Sequence, residues 1–217
     1  MQSDPKPRWE RRKDARPQEL LAAALDLFVD RGYAATRLED VARRAGVSKG
    51  TLYLYFANKE ELFKAVVREN IVDVIGKAED DVAAAAGASC NELLRGMLDK
   101  WWREVGLTRA AGLAKLIMAE AGNFPEIAAF YNDEVIERGN ELIASIVRRG
   151  VANGEFAPVD PDVMTRVLTA PVLMLMLWSH SFFPCDTSSL DREAFMQAFL
   201  GLVERGIRAP AAGTLRD

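Results

Sequence analysis

The sequence predicts an all-α protein of about nine helices, arranged as a small three-helix head followed by a larger helical domain. Apolar residues recur at helical spacing along most of the 217 residues. No alternation of apolar and polar residues typical of a β-strand persists anywhere in the chain. Helix-ending glycines divide the pattern into segments of helical length, at Gly32, Gly46, Gly87, Gly122 and Gly154.

The first predicted helix begins near Pro17, because proline is tolerated in a first helical turn. It should end at Gly32, and Tyr33 then leads into the next helix. Its buried stripe is formed by apolar residues at helical spacing, namely Leu21, Ala24, Leu25 and Phe28.

Two short helices joined by a tight turn are predicted between Thr36 and Lys59. Thr36 and Glu39 have the spacing of a capping box, which indicates a helix start. Gly46 accepts the left-handed geometry that a helix C-terminus often needs, and Ser48 is expected to cap the second helix. Two helices joined by a short glycine-containing turn are typical of a DNA-binding helix-turn-helix.

The second of these helices has an outer face that suits contact with DNA. Its inward side chains are expected to be Val47, Leu52 and Phe56. The outward set then carries two tyrosines and a lysine with almost no acid: Lys49, Thr51, Tyr53 and Tyr55. A merely solvated face would normally mix both charge signs, so the pattern favours DNA binding. The alternative is a short helical hairpin that binds nothing.

The block 32–63, centred on Ala-Gly-Val-Ser-Lys-Gly-Thr-Leu-Tyr-Leu-Tyr-Phe-Ala-Asn-Lys-Glu-Glu-Leu-Phe, resembles the N-terminal domain of TetR-family transcriptional regulators. The likeness covers about residues 14–74, and the stretch 124–156 is similar to C-terminal domains of one subgroup. The resemblance implies a homodimer that presents two recognition helices to successive major grooves of a pseudo-palindromic double-stranded operator. Positions that face DNA in similar proteins correspond here to Thr36, Arg37, Ser48, Lys49, Gly50, Thr51, Tyr53, Tyr55 and Lys59.

These positions have distinct expected roles. Lys49 can donate to the acceptor edge of guanine, while Thr51 and Tyr53 offer methyl, ring and hydroxyl contacts. The residues at helix starts place amides and cations where phosphates bind. Many family members carry histidine where this chain has Tyr55, which leaves the base preference open. The basic residues of segment 1–15 predict either further phosphate or minor-groove contacts, as in similar proteins, or a soluble tail.

A long helix is predicted to begin at Asn58 and to run without a strong breaker towards Gly87. In the family this helix is the lever between the head and the rest of the chain. Further helices are expected over 91–105, 109–121, 126–153, 162–182 and 191–208. The helix over 162–182 is apolar nearly all round, so it should be buried on most faces, with a kink at Pro171.

In the family, the middle helices enclose a cavity for a small hydrophobic or aromatic effector. Large, soft or aromatic side chains are the candidates for such a lining: Met97, Trp101, Trp102, Met118, Phe124, Tyr131, Met174 and Trp178. The alternative is that these residues form an ordinary core. As the mechanism of control, an effector would tilt the connecting helix and separate the two heads.

The two apolar terminal helices predict a two-fold interface in which each helix pairs with its copy. The family dimerises in this way. Candidate interface residues are Leu173, Leu177, Phe195, Phe199 and Leu202. The alternative is a monomer with a thick core.

Charge is distributed unevenly along the chain, which has a formal net charge of −4. Residues 1–60 hold 12 Lys or Arg and 9 Asp or Glu, whereas residues 61–217 hold 16 and 23. Positive charge thus lies at the end that carries the helix-turn-helix, where phosphates would be neutralised. The predicted domains are a basic arm over 1–15, a DNA-binding domain over 16–60, and an effector-binding and dimerisation domain over 61–217.

Composition argues against catalysis and against a membrane location. With one histidine and no glycine-rich phosphate loop, the sequence offers no catalytic residues, no cofactor site and no metal ligands. The rival class is a helical enzyme or a small-molecule carrier.

The longest apolar stretch, 167–178, is too short for a bilayer, and the polar N-terminus predicts no signal peptide, so a cytoplasmic protein is expected. Cys90 and Cys185 are expected to be reduced thiols, with a redox switch as the alternative. A further alternative is an activator or an effector-independent regulator of the same fold. The sequence does not reveal the operator, the regulated genes or the effector, or whether the protein is a repressor or an activator.

Overall fold

The computed structural model describes residues 16–85, 87–182, 185 and 190–209, and within these ranges the fold is all-α. The head contains three helices: α1 (Arg16–Ala35), α2 (Leu38–Arg44) and α3 (Lys49–Tyr53). The basic arm predicted over 1–15 lies outside the described residues. Between α2 and α3 the chain turns at Gly46, whose φ of +67° is the left-handed geometry expected there.

Six longer segments form the second domain. The connecting helix α4 joins Lys59–Val67, a π-helical turn over Arg68–Val72 and Asp73–Ala84. Helix α5 joins Cys90–Trp101 to a π-helical turn over Trp102–Gly106, and α6 is Ala111–Glu120. Helix α7 joins Pro125–Tyr131, a π-helical turn over Asn132–Glu137 and Arg138–Ala152, and it is followed by α8 (Pro161–Ser179) and α9 (Arg192–Gly206). Counted as continuous segments, the described part of the chain has nine helices, which confirms the predicted fold class.

Two of the three predicted helix caps are confirmed. The Ser48 side chain accepts a hydrogen bond from Thr51 N at 3.0 Å, and Asn58 Oδ1 accepts one from Glu61 N at 2.9 Å. The capping box at Thr36 and Glu39 is wrong. Arg37 stands at the N-cap of α2 without a side-chain cap. The hydroxyl of Thr36 instead donates back to the carbonyls that end α1.

One apolar core runs from the head into the second domain. An aromatic group joins them: the Phe28 and Phe63 ring centroids are 5.3 Å apart, and those of Tyr33 and Phe124 are 4.8 Å apart. Because edge-to-face aromatic pairs add stabilisation beyond their buried area, this group ties α1 to α4 and to the start of α7. A second apolar cluster, at the far end of the domain, brings together Leu94, Ile146, Phe156, Leu168 and Leu200.

The expectation that the helix over 162–182 is buried on most faces is wrong. Helix α8 ends at Ser179 and leaves a stripe of large apolar side chains exposed, namely Val163, Val167, Met174 and Trp178. By length and composition alone, α8 is the one helix within the described ranges that could cross a membrane. Within the residues that the structure describes, no other helix covers this stripe.

Candidate nucleic-acid interface and effector cavity

Helix α3 is anchored by two buried side chains and turns its other residues outward. Leu52 is fully buried and Phe56 is nearly so, which places α3 firmly against the head. Tyr53 and Tyr55 are 44% and 40% exposed, and Gly50 leaves its surroundings open. The side chains predicted to face outward are therefore exposed to solvent.

Lys49 is the cation at the centre of this face. Its Nζ lies 2.5 Å from Glu39 Oε1 and 5.7 Å from the centroid of the Tyr53 ring. The hydrogen bond between Lys49 and Glu39 raises the pKa of Lys49 and lowers the pKa of Glu39. Both side chains are well exposed, and surface ion pairs contribute little net energy, so Lys49 can exchange Glu39 for a base edge or a phosphate at small cost.

The remaining exposed candidates lie at the helix starts. The hydroxyls of Ser48 and Thr51 are 2.8 Å apart, which fixes both at the N-terminal end of α3. Arg37 is exposed at the N-terminal end of α2. The start of α3 thus presents hydroxyl and cationic groups, and the start of α2 adds the guanidinium of Arg37; these are the groups that bind phosphates.

Two predicted DNA contacts point into the protein instead. Thr36 is 2% exposed, and its hydroxyl donates to Gly32 O at 2.7 Å and to Leu27 O at 3.1 Å. Lys59 is half-buried, and its Nζ donates to Tyr33 O at 2.8 Å and to Ala34 O at 3.2 Å. Burial lowers the pKa of Lys59. Both side chains hold the end of α1 and do not extend from the outward face of α3, and their contact with phosphates stays a prediction.

Sequence reasoning missed Leu54, which is 83% exposed between the two outward tyrosines. A leucine in an apolar-rich segment was not assigned to either face. Its distance of two residues from the inward Leu52 was the available signal, because residues two apart in a helix lie on nearly opposite sides. An exposed aliphatic side chain at this position is suited to contact with a thymine methyl group.

A cavity of about 440 Å³ lies among α4, α5, α6, α7 and α8. Four of the eight predicted effector residues line it: Met97, Trp101, Met118 and Tyr131. Most of the other lining side chains are aliphatic, among them Ile75, Ala114, Ile117, Val135, Val172 and Met176. Its polar side chains are few and include no carboxylate: Lys100, Asn140, Arg166 and Thr169, beside the Tyr131 hydroxyl. Tyr131 is buried, which raises the pKa of its hydroxyl.

The other four predicted effector residues do not line this cavity. Trp102 is 1% exposed and faces the core, because consecutive helical residues point about 100° apart and only Trp101 faces the cavity. Phe124 packs on Tyr33 at the boundary with the head. Met174 and Trp178 belong to the exposed stripe of α8.

The predicted interface residues divide in a similar way. Leu202 on α9 is 65% exposed in the single chain, as expected of a residue that contacts a second copy. Leu173 is 36% exposed but lines the cavity, and Leu177 is half-buried. Phe195 and Phe199 pack against the core of their own chain. Of α8, the sequence analysis assigned only Leu173 and Leu177 to the interface, and it did not include the exposed Val163, Val167, Met174 and Trp178.

In the ranges that the structure describes, no group of three or more His, Cys, Asp or Glu side chains is placed to hold a metal ion. Cys90 is buried, and its Sγ accepts a hydrogen bond from Arg149 Nε at 3.2 Å, whereas Cys185 is exposed.

Comparison with known proteins matches both parts of the chain. The profile described as bacterial regulatory proteins of the tetR family matches residues 20–66, and one described as a tetracyclin repressor-like C-terminal domain matches residues 85–194. The fatty acid metabolism regulator protein of Bacillus subtilis is 33% identical over 83% of this chain and 100% of its own length. The transcriptional repressor KstR2 of Rhodococcus jostii is 26% identical over 91% of this chain and 94% of its own.

Solved structures show the same fold. The transcriptional regulator FadR of Bacillus subtilis, crystallised in complex with stearoyl-CoA, superposes with a TM-score of 0.67 at 21% identity, covering 88% of this chain and 99% of its own. These relatives are regulators and not enzymes. Since the matched profiles cover the helix-turn-helix and most of the second domain, the chain belongs to the TetR family of DNA-binding transcriptional regulators.

Proposed function

We propose that the protein is a cytoplasmic repressor that binds a pseudo-palindromic operator as a homodimer and is released by a small, largely apolar effector. The observation that carries the proposal is the combination of an exposed, acid-poor recognition face on α3 with an apolar cavity in the same chain. Base reading would use Lys49, Thr51, Tyr53 and Tyr55, while Arg37 and Ser48 would meet phosphates.

Dimerisation is supported by the exposed stripe of α8 and by Leu202 on α9. Exposed apolar patches of this kind usually mark interaction surfaces. A two-fold pairing of α8 and α9 with their copies would cover them and set the distance between the two heads. Successive major grooves demand a separation of about 34–36 Å, so the dimer contact decides whether both heads reach the operator.

The effector class follows from the lining of the cavity. A volume of about 440 Å³ lies within the range of small-molecule sites. Lys100 is already paired with Asp81 at 2.6 Å, so it is Arg166, on a lining without any carboxylate, that favours an effector whose polar end is neutral or negatively charged. The related FadR of Bacillus subtilis was crystallised with stearoyl-CoA, an amphiphile that combines these two properties. Release requires that the effector bind more tightly to the conformation that leaves DNA.

Selection of bound sequences from random duplex DNA tests the proposal. The expected result is an enriched motif with two-fold symmetry, bound by one dimer and lost when the salt concentration is raised. Thermal-shift screening of apolar compounds follows, and each compound that binds is added to a gel shift with the selected operator. A coupling free energy of about 1–3 kcal/mol between effector binding and operator binding would weaken operator binding roughly 5- to 150-fold. Failure to enrich any sequence contradicts operator binding, whereas binders that leave DNA affinity unchanged contradict effector control.

A further inference from the structure

Helix α1 is interrupted at Gly32, close to its end, and the turn over Gly32–Ala34 is held by a carboxylate from the second domain. Gly32 has a φ of +85°, and the two following amides point away from the α1 hydrogen-bond ladder. Glu120, the last residue of α6, accepts from Tyr33 N at 2.7 Å through Oε1 and from Ala34 N at 3.1 Å through Oε2. A methyl group at position 32 would lie 2.5 Å from Glu120 Oε1, so the carboxylate lies directly against the turn.

The same turn is held on its other side by α4. The carbonyls of Tyr33 and Ala34 accept from Lys59 Nζ, so both amides and both carbonyls of this dipeptide have partners in the second domain. The turn continues into Thr36, whose hydroxyl donates to Gly32 O at 2.7 Å. Because α2 begins two residues after Thr36, the geometry of the turn decides how α2 and α3 are oriented.

Helix α6 contacts the head at its other end as well. Arg109, which precedes α6, pairs with Asp30 at 2.6 Å and with Asp26 at 3.5 Å, both on α1. A methyl group at Gly112 would lie 2.5 Å from a Val29 methyl, which shows how closely α6 approaches α1. The side of α6 that carries Ala114, Ile117 and Met118 lines the cavity. One helix therefore borders the cavity and touches α1 at both ends.

We infer that Glu120 is a positioning residue for operator binding, because its carboxylate fixes the Gly32–Ala34 turn and thereby the orientation of the recognition helix on the second domain. This inference rests on the proposed operator binding. The connecting helix α4 was the lever expected from the sequence; the structure adds α6 as a second connection, and it places the contact on a helix that lines the cavity. A head that is already held in one orientation loses less conformational entropy when it binds DNA. The contact of Glu120 with the turn should therefore increase the affinity for the operator.

The test compares Glu120→Ala and Glu120→Gln with the control Glu104→Ala, an exposed glutamate of α5. Affinity for the selected operator is measured by fluorescence anisotropy, stability by urea unfolding, and local opening by hydrogen exchange at the amides of Tyr33 and Ala34. We expect Glu120→Ala to bind operator about 10-fold more weakly, which corresponds to the loss of one charge-assisted hydrogen bond. Both amides should exchange faster. Glu120→Gln keeps one acceptor oxygen and should lie between wild type and alanine, and Glu104→Ala should change neither quantity.

Three outcomes separate the possibilities. Lower stability of Glu120→Ala with unchanged operator affinity of the folded protein would show a merely structural contact and overturn the inference. Unchanged exchange at both amides would overturn it as well. Wild-type protein that selects no operator contradicts the proposed function, and the exchange measurement then still decides whether Glu120 holds the turn. If Glu120→Ala does not fold, Glu120→Gln carries the same comparison.

Discussion

At the scale of single residues, exposure separates reading groups from supporting groups in the head. Lys49 and Tyr53 of α3 and Tyr55 just after it are exposed, whereas Thr36 and Lys59 bind carbonyls near the end of α1. All five look alike in sequence, since each is polar or aromatic and lies within or beside the helix-turn-helix. Variants of the two sets should therefore fail in different ways, the first in DNA affinity and the second in stability.

Tyr53→Ala should weaken specific operator binding by at least about 10-fold while leaving the free energy of unfolding nearly unchanged, because the ring contacts solvent and not the core. Leu107→Ala is the matched control, since Leu107 is also 44% exposed and lies far along the chain, before α6. Affinity by anisotropy and stability by urea unfolding check both expectations. Operator affinity equal to wild type for Tyr53→Ala would contradict the assignment of α3 as the recognition helix.

Thr36→Val should lower the free energy of unfolding by about 1–3 kcal/mol, because the buried carbonyls of Leu27 and Gly32 lose a donor that water cannot replace. Thr108→Val is the control: its hydroxyl also donates to a helical carbonyl, Val105 O at 2.9 Å, but the residue is exposed. Urea unfolding measures both. A loss for Thr36→Val no larger than that for Thr108→Val would show that the buried hydroxyl is not needed.

At the scale of elements, α8 combines two functions on two faces. One face, with Leu173, Val172 and Met176, lines the cavity, and the other exposes Val167 and Met174. A helix that is apolar all round is normally explained by burial on all sides. In this chain one face of the helix is exposed, and a second copy of the chain would cover it in the proposed dimer.

Met174→Glu should convert a dimer into monomers, because the charge would be buried without a partner in the paired helices. Met174 is 58% exposed, so the substitution should leave the fold of the protomer intact. Leu107→Glu is the control for adding a charge at an exposed apolar site. Sedimentation velocity at micromolar concentration measures the assembly. A wild-type protein that sediments as a monomer, or a Met174→Glu dimer, would contradict the use of α8 in pairing.

At the scale of the whole molecule, the cavity, the dimer surface and the recognition face are linked through a few helices. Helix α4 contributes Val74 and Ile75 to the cavity and begins at Lys59, which holds the end of α1. The charge distribution follows the same division, with the excess of acidic residues confined to the second domain. In the proposed complex this distribution would favour the orientation in which α3 faces the duplex.

Decanoate should raise the thermal midpoint more than decyltrimethylammonium at equal concentration below micelle formation. The two share an apolar chain, and only the cationic group is opposed by Arg166 on the cavity lining, since Lys100 is already paired with Asp81. Arg166→Gln should reduce the difference between the two thermal shifts, since it removes the exposed cation and keeps a polar side chain of similar length. Differential scanning fluorimetry measures the midpoints. Equal shifts for the two compounds, or a larger one for the ammonium, would contradict the assigned charge preference.

The sequence by itself determined the fold class, the helix-turn-helix and the outward face of α3. These features depend on local patterns: the caps at Ser48 and Asn58, the positive φ of Gly46 and the burial of Leu52 all follow from residues within one or two turns. Local hydrogen bonds and helical periodicity act over such distances, so a linear pattern is sufficient to predict them.

Only the tertiary structure decided which side chains meet across the chain. Thr36 and Lys59 were assigned to DNA, yet they bind the end of α1, and the partner of that turn, Glu120, is 86 to 88 residues away in sequence. Trp101 and Trp102 are neighbours in sequence, but they point to the cavity and to the core respectively. Helical periodicity shows that a face is apolar but not what covers it, because the covering surface comes from distant segments or from another molecule. For this reason the cavity lining, the exposed stripe of α8 and the carboxylate at the head became visible only once the helices were packed together.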